Sequence, residues 1–234
     1  QVGNAVRSYA GGRDAITVIT KNGLRREGEE WWRDNSYDYM LYAAEASANR
    51  LGFAPDGLLL HRRNREQSIE AATRALMAAR DRGLTKTIGM SNINADEFRT
   101  VWQVSEGTLA FLENERSPRY RDHSEVLDLC TEHGVVYLAW SPLGGKNDAR
   151  RIGEVVPVFE QVAQRHAING HTATAQQVAL AWLLTQSPVM LPIPAFTRTA
   201  TAQASADAVE LVLSAEDLEL LNSGNYRSES VYPD

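Results

Sequence analysis

The chain has 234 residues, 43% of them hydrophobic and 23% charged, with a formal net charge of −6 at pH 7. That length can bury a sizeable core in one domain. The single cysteine, Cys130, excludes a disulfide framework or a cysteine-rich zinc site and fits a reducing, cytoplasmic compartment, while the interspersed acidic balance argues against nucleic-acid or membrane partners.

From the amino end, Ala15–Lys21 is the first strand, its Ala15–Thr20 run continuous and β-branched as in a strand buried on both faces. A long loop follows, holding Trp31 and Trp32, which fit a substrate lid or packing against the rim. Gly57–His61 is the next strand. Ser68–Arg82 places Ile69, Thr73, Leu76, Met77 and Arg80 at helical steps, with Gly83 as the stop. Lys86–Ser91 and Leu109–Glu113 are further strands. Asp122–His133 spaces Val126, Leu129, Cys130 and His133 along a helix, which makes Cys130 a small core residue. Val135–Trp140 is a strand, Thr174–Leu184 a helix with a threonine cap, and Val189–Pro194 a strand. Ser214 opens a last short helix that ends near Gly224, and the aperiodic tail from Asn225 to Asp234 wraps or frays. No repeat or linker composition interrupts the chain, so residues 1–234 read as one domain.

Strands alternating with helices define an α/β protein with a parallel sheet, either doubly wound or a barrel. No G-x-G-x-x-G follows a strand, so a Rossmann site has no support. Several strands end in polar or ionisable residues: Lys21, His61, Ser91-Asn92, Glu113-Asn114 and Ser141. In a barrel these ends share one rim, where barrel enzymes build their sites, and this concentration favours the barrel. His123, His133, His166 and His171 show no ligand-like pairing and read as structural or exposed, and no metal site is expected.

Seven stretches in order carry a resemblance: V-I-T-K-N-G (18–23), L-L-L-H-R (58–62), G-L-T-K-T-I-G-M-S-N (83–92), L-E-N-E-R-S-P (112–118), W-S-P-L-G-G (140–145), Q-Q-V-A-L-A-W-L-L (176–184) and I-P (193–194). Through them the full chain resembles the aldo-keto reductases. The resemblance implies a (β/α)8 barrel of the TIM type that binds NADPH and reduces aldehydes or ketones. It also implies a tyrosine proton donor supported by Asp, Lys and His. A phenol that donates near neutral pH needs a nearby ammonium to lower its pKa and an imidazole to orient the carbonyl. Lys21 matches the family lysine and His61 the family histidine. The chain opens within what resembles the helix after the family's first two strands. Six βα units are therefore expected, an N-terminally truncated barrel without counterparts of the family's Asp and Tyr. Two open sheet edges would favour a homo-oligomer or a partner that completes the barrel.

The resemblance also assigns the cofactor positions. Ser91 and Asn92 match the pair that grips the nicotinamide carboxamide, but Glu113 stands at the family's Gln and Arg116 at the aromatic that stacks on the ring. Ser141 and Leu143 lie in the segment that resembles the phosphate-side loop. After the last strand Arg198 remains as a cation, whereas Thr201 occupies an arginine position and Ala204-Ser205 a Glu-Asn position. A carboxylate accepts hydrogen bonds but cannot donate one to the carboxamide oxygen, so the NADP site reads as degraded. Lys21, His61, Glu113 and Arg116 are then the catalytic candidates. They would perform acid–base chemistry of isomerase, lyase or cyclase type on a small carbonyl substrate, with NADPH weak or absent. Lys21 could alternatively serve as a Schiff-base nucleophile. The other readings are an ordinary NADPH-dependent carbonyl reductase and a non-catalytic binding or assembly subunit.

Overall fold

The computed structural model describes residues 1–121, 125–223, 227 and 229–232. Its contacts divide the chain into two compact units, residues 1–113 with 128–135 and residues 114–127 with 136–234.

In the first unit, α1 (Val2–Arg7) and a single 3-10 turn at Arg13–Ala15 precede β1 (Ile19–Asn22). The strand starts later than its β-branched run suggests because Asp56 holds the approach, accepting from the Val18 N–H and from Arg13. The segment expected to be a loop is an antiparallel hairpin, β2 (Leu24–Glu27) with β3 (Glu30–Arg33). Arg25 lies opposite Trp32 and Arg26 opposite Trp31, and the guanidinium carbons sit 5.3 and 5.0 Å from the respective ring centroids. Most of this hairpin is exposed, so it lacks the alternation of polar and apolar residues that marks a half-buried strand.

Next come α2 (Tyr37–Leu51), β4 (Gly57–Leu60), α3 (Ile69–Asp81), β5 (Thr87–Ser91), α4 (Ala95–Val104) and β6 (Leu109–Glu115). Helix α3 matches its expected span: Ser68 accepts from the Ala71 N–H, and Gly83 follows in the left-handed region. Helix α4 starts on a reciprocal capping box between Asn94 and Glu97.

Strands β1, β4, β5 and β6 pair in parallel, in that order. Their register places Lys21, Leu59, Gly89 and Phe111 in one layer, followed two residues on by Ser91 and Glu113. Leu58, Leu59, Leu60, Ile88 and Met90 are fully buried. Gly89 permits this packing: a Cβ there would lie 2.7 Å from both the Phe111 carbonyl oxygen and Leu59 Cγ.

In chain order, α5 (Val126–His133) is followed by β7 (Val136–Trp140), α6 (Gly145–Asp148), α7 (Ile152–Val155) and α8 (Pro157–Ala163). A small hairpin of β8 (Ala167–Ile168) and β9 (His171–Thr172) leads to α9 (Ala175–Leu184), β10 (Met190–Pro192), α10 (Thr199–Asp207) and α11 (Ala215–Asn222). The expected start of α5 at Asp122, together with His123, Gly224 and Asn225, lies outside the described residues. Cys130 is fully buried, as its helical position implied. His133 stacks on Trp102 at 4.3 Å between ring centroids, a packing role.

Within the second unit β7 and β10 pair in parallel, Met190 beside Tyr137. Helix α9 is apolar nearly all round and buried accordingly; Thr174 and Gln177 form its capping box, and Trp182 meets Phe159 edge to face at 5.7 Å. Asp217 belongs to the box that opens α11 and also receives His166 at 2.8 Å. The described part of the tail wraps: the Glu115 carboxylate accepts from Ser230 Oγ and the Val231 N–H, and the Tyr232 ring lies 5.9 Å from that of Trp140. Among the described residues no helix is long and apolar enough to cross a membrane.

Overpacking a tight sheet costs about 1–3 kcal/mol. Gly89→Ala therefore lowers stability by that order, read as a lower urea midpoint at unchanged slope.

Candidate active site

The carboxyl ends of the four strands in the first unit converge on a small polar cluster. Lys21 projects from β1 and its ammonium bonds the Glu113 carboxylate on β6. Glu113 is only 5% exposed, so its charge has left water and the pairing offsets the cost of that transfer. Of the catalytic candidates, Glu113 thus pairs with Lys21.

Ser91 and Asn92 complete the strand ends. Ser91 Oγ donates to the Glu113 backbone carbonyl at 2.7 Å, and the Asn92 N–H donates to the same oxygen at 3.1 Å. Asn92 sits at φ 58°, a left-handed conformation that asparagine tolerates better than most residues. Its Nδ2 donates to the His61 carbonyl and to Ser91 Oγ, each at 2.9 Å.

His61 follows β4 directly, its N–H donating to the Asn22 carbonyl at 2.9 Å. Burial, then the charges of Lys21 and Arg62, hold its imidazole down at about 4. The ring is therefore neutral at neutral pH, with one N–H donor and one acceptor nitrogen. A neutral imidazole beside an ammonium–carboxylate pair can polarise a carbonyl oxygen and move a proton without placing net charge in the cluster.

Five of the sequence candidates thus lie in one unit: Lys21, His61, Ser91, Asn92 and Glu113. The other four lie in the second. Arg116 is 8% exposed, donates its backbone N–H to the Trp140 carbonyl at 3.4 Å, and has a buried Nε without a hydrogen-bond partner among the described residues. Ser141 stands at φ 47° and its carbonyl accepts from the Gly144 N–H, making a tight turn that includes Leu143. Arg198 is exposed and caps α10 through its backbone. Sequence reasoning missed Asn35, fully buried between β3 and α2. It belongs to no recognisable motif, although a hydrophilic side chain closing a hairpin beside a strand end is a weak signal for it. Among the described residues no cluster of three or more His, Cys, Asp or Glu could hold a metal.

A parallel α/β scaffold with ionisable residues at its strand ends defines an enzyme-like architecture. The chain itself belongs to the aldo/keto reductase family, whose model matches residues 1–225. It is 29% identical over 217 residues to pyridoxine 4-dehydrogenase of Escherichia coli (strain K12), covering 89% of this chain and 72% of that protein. It is 30% identical over 216 residues to glycerol 2-dehydrogenase (NADP(+)) of Hypocrea jecorina, covering 82% and 66%. A thermostable aldo-keto reductase solved with the inhibitor epalrestat superposes with a TM-score of 0.76 at 26% identity, over 95% of this chain and 75% of that one. An aldo/keto reductase from Klebsiella pneumoniae, solved with NADP and acetate, shares the fold at a TM-score of 0.76 and 22% identity, over 100% and 77%. The chain thus spans about two thirds to three quarters of these relatives' lengths.

His61 imposes a pH dependence. Its folded value of about 4 lies below its ordinary 6.5, so between these limits the unfolded chain binds a proton that the folded chain does not. Stability therefore falls as pH drops from about 6.5 to about 4, and this contribution is constant outside that window. Chemical denaturation at pH 7 and pH 4.5 should show a smaller loss for His61→Gln than for the unmodified chain.

Proposed function

We propose that this protein is a divergent aldo-keto reductase family member that acts on a small carbonyl-containing substrate by acid–base chemistry, without nicotinamide. The observation that carries the reading is the Lys21–Glu113 ion pair. It commits to Lys21 the residue that occupies the family's carboxamide-binding glutamine position.

The donor set does not fit a nicotinamide carboxamide. Glu113 can only accept. Ser91 Oγ is already donating to the Glu113 carbonyl, and Asn92 Nδ2 to His61 and Ser91. In the second unit Arg116 replaces the expected aromatic, and in the loop after the last strand, residues 196–205, Arg198 is the one cation. Each lost charge-assisted bond is worth about 1.5–3 kcal/mol, and the loss of several lowers dinucleotide affinity by orders of magnitude.

In the proposed reaction the substrate oxygen accepts from the Lys21 ammonium and from the N–H of neutral His61. Both donors stabilise negative charge as it develops on that oxygen. The Glu113 carboxylate removes a proton from the carbon next to the carbonyl, leaving an enolate, and the protonated carboxyl returns the proton to a neighbouring position. That sequence consumes no oxidant or reductant. Enolate formation, its first step, is shared by isomerisation, elimination and aldol-type reactions, and return of the proton completes the isomerisation. The cluster forms in one unit, the chain acts as one domain, and the buried Cys130 suits a cytoplasmic setting.

The second reading is an NADPH-dependent carbonyl reductase. It is favoured by Ser91-Asn92 at the family's positions and by relatives named as dehydrogenases.

Fluorescence titration with NADPH separates the two. No saturable binding is expected at micromolar cofactor, while Glu113→Gln, which restores an amide donor, should strengthen binding by about tenfold. Small hydroxy-aldehydes and hydroxy-ketones incubated in deuterated water should exchange the hydrogen beside the carbonyl with the unmodified chain and not with Glu113→Gln. Micromolar NADPH binding by the unmodified chain would overturn the proposal in favour of the reductase.

A further inference from the structure

Lys21 stands in β1 and His61 directly follows β4, and the chain bends within two residues of each, at Gly23 and Arg62. Gly23, two residues beyond Lys21, has φ 86°, a conformation open to glycine. Arg62 and Asn64 lie just beyond His61. Asn35, at the exit of the β2–β3 hairpin, is fully buried between these two turns.

Each polar group of the Asn35 side chain serves them. Its Nδ2 donates to the Arg62 carbonyl at 3.1 Å and to the Gly23 carbonyl at 3.4 Å, and its Oδ1 accepts from the Asn64 N–H. Its own N–H is held by Gln67 Oε1. A second strap runs alongside, from Asn64 Nδ2 to the Arg33 carbonyl at 3.0 Å. Gly23 is fitted to this arrangement: a Cβ there would lie 3.1 Å from Asn35 Nδ2 and 2.6 Å from Leu60 Cδ1. A buried amide whose bonds all end on backbone fixes the spacing of the segments it joins, because any shift leaves a polar group unpaired.

We infer that Asn35 is a positioning residue: it clamps the turn after Lys21 to the turn after His61 and so sets the ammonium and the imidazole in one working geometry. The inference deepens the proposed acid–base reading of this cluster and rests on it.

The clamp also predicts the electrostatics of the imidazole. The charges that act on His61 are Lys21 on β1 and Arg62 on its own turn, and Lys21 is itself paired with Glu113 on β6. When the clamp is released, water enters, both cations draw away from the ring, and its titration returns toward the ordinary value.

The test is NMR titration of histidine-labelled protein, with circular dichroism and thermal unfolding in parallel. In Asn35→Ala, His61 should titrate about one pH unit or more higher than in the unmodified chain. Gly23→Ala, which presses on Asn35 without removing it, should give a smaller shift of the same sign and carries the test if Asn35→Ala fails to fold. Thr73→Val, which removes a buried hydroxyl bonded to the Ile69 carbonyl in α3, should lower the thermal midpoint and leave His61 unmoved. An unmoved His61 in a folded Asn35→Ala, or an equal shift in Thr73→Val, overturns the inference. Tight NADPH binding or absent deuterium exchange would instead remove the functional reading and leave the His61 titration as it is, so the two failures are distinguishable.

Discussion

The ion pair between Lys21 and Glu113 depends on the curvature of the sheet. Lys21 is on β1 and Glu113 on β6, with β4 and β5 between them. In a flat sheet three strand spacings amount to about 14 Å, beyond direct contact of the two side chains. Contact requires the face that carries Lys21, Leu59, Gly89 and Phe111 to be concave. Gly89 makes that possible, because the carbonyl of Phe111 and the side chain of Leu59 occupy the space where a Cβ would stand. A glycine in mid-strand, ordinarily a weakness, here lets two charges on distant strands meet.

The same dependence explains what the amino-acid sequence revealed and what it concealed. Six apolar runs separated by helical stretches made the parallel α/β scaffold legible, since strands buried on both faces are continuous and β-branched. Lys21, His61, Ser91, Asn92 and Glu113 could be named in advance because each closes such a run. Their pairing could not. That Glu113 meets Lys21 follows from register and curvature over 92 residues of separation, which no local pattern records. The hairpin with Trp31 and Trp32 was hidden for the opposite reason: its mostly exposed strands carry no periodic signal.

Asn35 was invisible in a further sense. Its side chain bonds the backbone of Gly23, Arg62 and Asn64, and backbone groups are the same whatever residues carry them. Pattern reading detects side chains that share a type or a period, so a residue that works by holding main chain leaves no trace beyond its own polarity.

These constraints bear on what kind of chemistry the cluster can perform. A Lys21 ammonium facing a protonated imidazole would be a strongly cationic site, suited to holding an anion. The structure avoids that state twice. Glu113 neutralises Lys21, and burial together with the flanking cations keeps His61 uncharged down to about pH 4. What remains is a nearly charge-balanced set of donors and one carboxylate, with Glu113 buried and Lys21 and His61 half-buried, where hydrogen bonds are stronger than in water. In the proposed reaction, such a set would discriminate between a neutral carbonyl and the enolate derived from it, because fixed donors gain most when negative charge appears on the oxygen. The discrimination works only while the donors stay where they are. On that proposal, the rigidity of the turns behind Lys21 and His61 belongs to the chemistry of the strand ends.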